Sequence, residues 1–139
     1  MKTILSLAAL VFAVLAAGGP ARADQAKALA VYTLCYDAVQ SQRKNPQVVL
    51  NRCTAAGDYL VTQLGKQTGD ADEYIRYWDA FSTMSAGEVE RFNGKQQQGE
   101  MHLFAASVEF QAVENNAKDP DLVAHARKGL GVLRDLENQ

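Results

Sequence analysis

The chain has 139 residues, with 14 Lys and Arg against 16 Asp and Glu, a net charge of −2, and 47% hydrophobic residues. A chain of this length forms one domain around a single core. No Lys/Arg cluster offsets the acidic balance, so nucleic acid is excluded as an expected partner.

The N-terminus has the three parts of a secretory signal. Lys2 supplies a positive start, Ile4 to Ala17 run apolar and uncharged, and Gly18, Gly19 and Pro20 break the run before Ala21-Arg22-Ala23, a small-x-small cleavage motif. Residues 1–23 are expected to be a signal peptide and residues 24–139, from Asp24, a single domain. The alternative is a retained anchor, for which the run is short, since a spanning helix takes ~20 apolar residues. No Cys lies near the cleavage point to accept a lipid. The remaining 116 residues carry 12 basic and 16 acidic side chains. The expected location is the periplasm, or secretion, with no membrane anchor after cleavage.

The rest of the chain reads as all-α, with no sustained alternation of β-branched residues. Helices are expected near 26–43, 46–66, 71–84, 86–97, 99–117 and 120–137. Asn45-Pro46 and Asp119-Pro120 each place a cap before a proline at the first helical position. Asp70 to Glu73 and Ser85 to Glu88 have the shape of capping boxes. Residues 26–43 are apolar nearly all round, as in a central or partner-covered helix. Val49, Cys53, Ala56, Leu60 and Leu64 share one helical stripe. Leu103, Ser107, Phe110, Val113 and Ala117 share another, and Val123, Ala126, Leu130, Leu133 and Leu136 a third. Tyr74, Trp78 and Phe81 form a shorter one. Asn93-Gly94 and Gly99 leave Lys95 to Gln98 the least regular stretch.

Sliding the chain by 74 residues lays Leu29–Val39 over Leu103–Val113, and Lys44-Asn45-Pro46 over Lys118-Asp119-Pro120. A fainter middle copy runs from Trp78 to the cap at Ser85. The expectation is a helical hairpin used three times, stable only when stacked. Asn45-Pro46-x-x-Val49 and Asp119-Pro120-x-x-Val123, with the small Ala56, resemble the turn and second helix of tetratricopeptide-like repeats. Asp37, Gln111, Gln40 and Glu114 depart from that family's small residues and Tyr. The resemblance implies stacked antiparallel hairpins that bind protein or peptide. An orthogonal helix bundle is the other architecture.

Cys35 and Cys53 lie equal distances before and after the first turn, so antiparallel helices bring them level. A disulfide is expected, favoured by an oxidising compartment and by Ala38, Ala56 and Gly57 at the seam. The alternative is two buried thiols. No Cys-x-x-Cys pair suggests redox work.

Chemistry-bearing patterns are sparse. His102 and His125 lack metal-ligand spacing, and no metal or cofactor is expected. No nucleophile elbow or phosphate loop occurs. The acidic pairs Asp70/Asp72, Glu88/Glu90 and Asp119/Asp121 read as first-turn charges that suit the helix dipole. Gly129-Leu130-Gly131 reads as a packing feature within a helix. Arg76 and Tyr77, pointing away from the Trp78 stripe, are the candidate protein-binding residues. The expected function is that of an exported helical scaffold acting by protein–protein contact, either an envelope adaptor or an inhibitor or immunity protein. A carrier of a small molecule or metal in a bundle cavity is the alternative, and catalysis ranks third. The partner's identity and the oligomeric state stay open.

Overall fold

The computed structural model describes residues 21–42 and 44–139. The apolar leader Ile4–Ala17 and Arg43 lie outside the described residues. Five helices follow in order: α1 Ala21–Ser41, α2 Pro46–Gln63, α3 Asp70–Phe92, α4 Gln96–Asn116 and α5 Pro120–Glu137. Among the described residues there is no strand. The Asn-Pro and Asp-Pro signals start α2 and α5. The Asn45 side chain accepts from the Val48 amide and that of Asp119 from the Asp121 amide, meeting donors that a helix start leaves free.

Two expected helices, 71–84 and 86–97, are one. Ser85 is not a cap: its Oγ donates to the Phe81 carbonyl at 2.9 Å, four residues back within α3. Gly87, inside the helix, marks a close approach instead of a break. A Cβ there would lie 2.9 Å from the Gly99 carbonyl of α4, and a Cβ on Gly99 would lie 2.7 Å from that of Gly87. The middle copy of the repeat is therefore a single helix and not a hairpin. The turn shrinks to Asn93–Lys95, where Gly94 takes a φ of 84°, and the stretch expected to be irregular begins α4.

α3 packs against all four other helices. α1 touches α3 as well as α2, and α5 touches α3 as well as α4, so α1, α3 and α5 form one layer and α2 and α4 the other. The central helix is thus α3, where the sequence pointed to 26–43. α1 keeps an open outer face with Leu34 exposed.

Cys35 and Cys53 are bridged, with Cα atoms 4.5 Å apart. Ala38 and Ala56 are fully buried beside the bridge in that hairpin's core. Gly57 turns instead toward α3, its Cβ position 3.7 Å from Asp79 Oδ1 and from Thr83 Oγ1. Aromatic rings lock α3 to α1. Tyr32 stacks on Trp78 at 5.6 Å between centroids, and Phe81 meets both Tyr32 and Tyr36 at 5.6 Å. Acids in the first turn of α3 tie down two loops. Asp70 accepts from the Lys118 and Asp119 amides at 2.8 Å, and Asp72 accepts from the Gly65 amide at 2.7 Å. They serve the tertiary structure as well as the dipole.

Ala126, Leu133 and Leu136 of the last stripe are buried as expected, but Leu122 and Gly129 are buried in place of Val123 and Leu130, which are half-buried. Gly129 is the seat of the Phe110 ring: a Cβ there would come within 2.6 Å of it. Gly131, one half-turn on, has nothing within 4 Å of its Cβ position. Gly129→Ala should therefore lower stability by about 1–3 kcal/mol through overpacking. Gly131→Ala should raise it by about 0.5–1 kcal/mol through helix propensity. Thermal unfolding of the two variants, with shifts of opposite sign, is the check.

Candidate functional site

The two residues expected to present a binding contact do not form one. Tyr77 is 8% exposed, packed between the Phe110 ring at 5.7 Å and the His125 ring at 6.0 Å. It lies 100° from Trp78 around α3, yet α3 has neighbours on that side too. Arg76 is half-buried, its guanidinium held by Asp72 at 3.1 Å and Glu73 at 3.6 Å. The histidines stay apart. His102 Nδ1 lies 2.7 Å from Glu90 Oε1, and partial burial lowers the pKa of His125. Among the described residues no group of three or more His, Cys, Asp or Glu side chains is arranged to hold a metal.

A polar row runs along α3 that no sequence pattern marked. Asp72, Arg76, Asp79, Thr83 and Glu90 recur at three-, four- and seven-residue steps, on the side of α3 that faces α2 and α4. Asp79 and Glu90 are buried. The Asp79 and Glu109 carboxyls share a hydrogen bond across the α3–α4 seam. Two adjacent carboxylates in a dry seam cannot both ionise cheaply, so the pair holds a proton. Burial, then the shared bond, raise Glu109 well above the usual carboxylate range. Burial also raises Asp79, against the pull of that bond and of Arg76. The proton belongs to the pair.

The open surface lies on the last hairpin. Ser107, Gln111 and Glu114 of α4 and Arg127, Leu130, Leu133, Arg134 and Glu137 of α5 line a groove of about 450 Å³. Arg127 Nε meets Glu114 Oε1 at 3.1 Å across it. Arg134 and Glu137 make no ion pair among the described residues. Beside the groove α4 exposes Met101 at 66%, Phe104 at 71% and Val108 at 54%. Their spacing of three and four makes one apolar stripe.

The first hairpin explains why this face is open. The buried row Val49, Cys53, Ala56, Leu60, Gln63 of α2 falls on Leu122, Ala126, Gly129, Leu133, Leu136 of α5 at an offset of 73. Ala28, Cys35 and Ala38 of α1 fall on Leu103, Phe110 and Val113 of α4 at an offset of 75. In that register Tyr32 and Tyr36 correspond to Ser107 and Gln111, and Gly57 corresponds to Leu130. The first three residues receive α3. Their counterparts line the groove. Small and polar side chains stand where two aromatic rings fill the seam, and among the described residues no helix covers them. Ser107, expected on the buried stripe, is at the groove wall, and Ala106 is buried in its place. The signal available in the sequence was the off-stripe spacing of Met101, Phe104 and Val108.

No protein-family model matches the chain, and no curated protein or solved structure is significantly similar to it.

The shared proton gives a pH test. Glu109 binds its proton more tightly folded than unfolded, so its contribution is complete below the ordinary carboxylate range and is lost as pH rises toward its raised value. The melting temperature should fall from about pH 5 to about pH 9. Glu109→Gln, which keeps a donor for Asp79 without a titrating proton, should flatten that fall. An equally steep fall in the variant would place the titration elsewhere.

Proposed function

We propose that the chain is an exported helical scaffold that acts by protein–protein contact, and that the α4–α5 face makes the contact. The observation that carries this reading is the pairing of an unfilled groove with the exposed Met101, Phe104 and Val108 stripe, on a hairpin face whose counterpart is covered by a helix. Exposed aromatic and aliphatic residues beside a groove are the usual core of a contact surface. The Cys35–Cys53 bridge agrees with an oxidising compartment, and no described helix is long and apolar enough to cross a membrane. Adaptor and inhibitor both fit this surface.

The carrier alternative draws less support. A carrier would set its aromatics around a space. Here Tyr32, Tyr36, Tyr74, Trp78 and Phe81 pack on one another, and Tyr77 packs on Phe110.

The test replaces Gln111 with a photoreactive amino acid in cells that export the chain. Irradiation should yield a protein adduct, while the same group at Gln40 on α1 should not. A chain without adducts, carrying a small molecule in native mass spectrometry, would transfer the proposal to the carrier.

A further inference from the structure

We propose that Asn93-Gly94, in the turn between α3 and α4, is a self-modification site. When the turn opens, Asn93 cyclises onto the Gly94 nitrogen and ends as aspartate or isoaspartate, and the isoaspartate form loosens α4 from α3.

The reaction needs no second protein. The Gly94 backbone nitrogen, having given its proton to water, attacks Asn93 Cγ. A new C–N bond forms and the C–N bond of the side-chain amide breaks. The departing nitrogen takes a proton from water and leaves as ammonia. Water then adds to one carbonyl of the five-membered imide. Opening at one C–N bond gives aspartate. Opening at the other gives isoaspartate, whose main chain runs through Cβ and Cγ and is longer by one methylene.

The sequence selects this asparagine. Asn93 is followed by glycine, and no other asparagine is. Asn45 is followed by Pro46, whose nitrogen carries no proton. Asn51, Asn115, Asn116 and Asn138 are followed by residues whose side chains shield the attacking nitrogen. Asn93 and Gly94 are both exposed, so solvent reaches the reacting atoms.

The closed turn blocks the attack. Ring closure needs the Gly94 nitrogen eclipsed with Asn93 Cβ about the Cα–C bond. Asn93 has a ψ of 9°, which eclipses that nitrogen with the Asn93 nitrogen instead. The Gly94 N–H donates to the Arg91 carbonyl at 3.1 Å and the Lys95 N–H to the Glu90 carbonyl at 2.9 Å, so ψ turns only when both bonds break. With Gly94 at a φ of 84°, these bonds close the end of α3 as glycine commonly closes a helix. Phe92, Asn93, Gly94 and Lys95 are all exposed, so little apolar burial holds the cap shut. Helix ends of that kind open locally at low cost. The turn slows the conversion and does not abolish it.

Beyond the turn the packing has no slack. The Gly99 N–H donates to the Lys95 carbonyl at 2.9 Å. The Gly99 carbonyl in turn lies 2.9 Å from the place a Cβ on Gly87 would take. That approach sets the register of α4 on α3. The imide leaves the Gly94 nitrogen without a proton for the Arg91 carbonyl. The added methylene of isoaspartate then carries Lys95 away from the Glu90 carbonyl and α4 with it. Aspartate keeps the original backbone and adds only a negative charge at the negative end of α3.

The test incubates the purified chain in mildly alkaline buffer, folded and in urea. Residue 93 is followed by peptide mass spectrometry, with fragmentation that separates aspartate from isoaspartate. Conversion is expected at Asn93 ahead of every other asparagine, about tenfold or more slower in the folded chain than in urea. Asn93→Gln, whose longer side chain closes a larger ring slowly, should stop the conversion and leave the melting temperature unchanged. Amide hydrogen exchange in the first turn of α4 should quicken in the isoaspartate fraction and stay unchanged in Asn93→Asp. A folded chain that keeps Asn93 while the unfolded chain converts it overturns the proposal. So do equal rates in the two states, conversion in neither, and an isoaspartate fraction whose α4 exchanges as Asn93→Asp does.

Discussion

Between Asp72 and Gly87 helix α3 has no exposed residue, although the segment includes Glu73, Arg76 and Asp79. A buried charge without a partner is costly, so each must be neutralised or paired. Arg76 is held between Asp72 and Glu73, and Asp79 shares a proton with Glu109. Close approach is the other condition. Four neighbours fit around one helix only where side chains are small, at Gly57 on α2 and at Gly87 and Gly99 where α3 meets α4. The stacking of both hairpins rests on that arrangement.

The two hairpins are built alike inside and differ outside. Their buried rows coincide, and their cap-and-proline turns match. On the first, Tyr32 and Tyr36 receive α3. On the second, Ser107 and Gln111 hold the equivalent places, and among the described residues no helix covers them. A domain that exposes Phe104, Val108 and Met101 beside that gap keeps an apolar surface in water. Removing that surface from water is the driving force for the contact proposed on this face.

Much of the fold was legible in the sequence. Asn45-Pro46 and Asp119-Pro120 marked two helix starts because a side-chain cap and a proline act locally. The Cys35–Cys53 bridge followed from their equal distance to one turn. The long α3 was missed because Ser85, Gly87 and Glu88 carry the chemistry of a helix start. Inside a packed helix that Ser bonds back to its own turn and that Gly admits a neighbour's carbonyl. Tyr77 was placed outward because helical periodicity identifies one buried stripe, and α3 is buried on several. The groove was invisible for a related reason. An empty space depends on which face of a hairpin lacks a cover, and a 74-residue offset read straight through the chain misaligned Tyr36 with Phe110 in place of Gln111.

The central claim is that contact is made on the α4–α5 face. It is tested most directly by a photoreactive amino acid placed in turn at Phe104, Gln111, Leu34 and Val61 in cells that export the chain. Protein adducts confined to Phe104 and Gln111 are expected. Adducts centred on Leu34 and Val61 of the first hairpin, or none at any position, would contradict contact on that face.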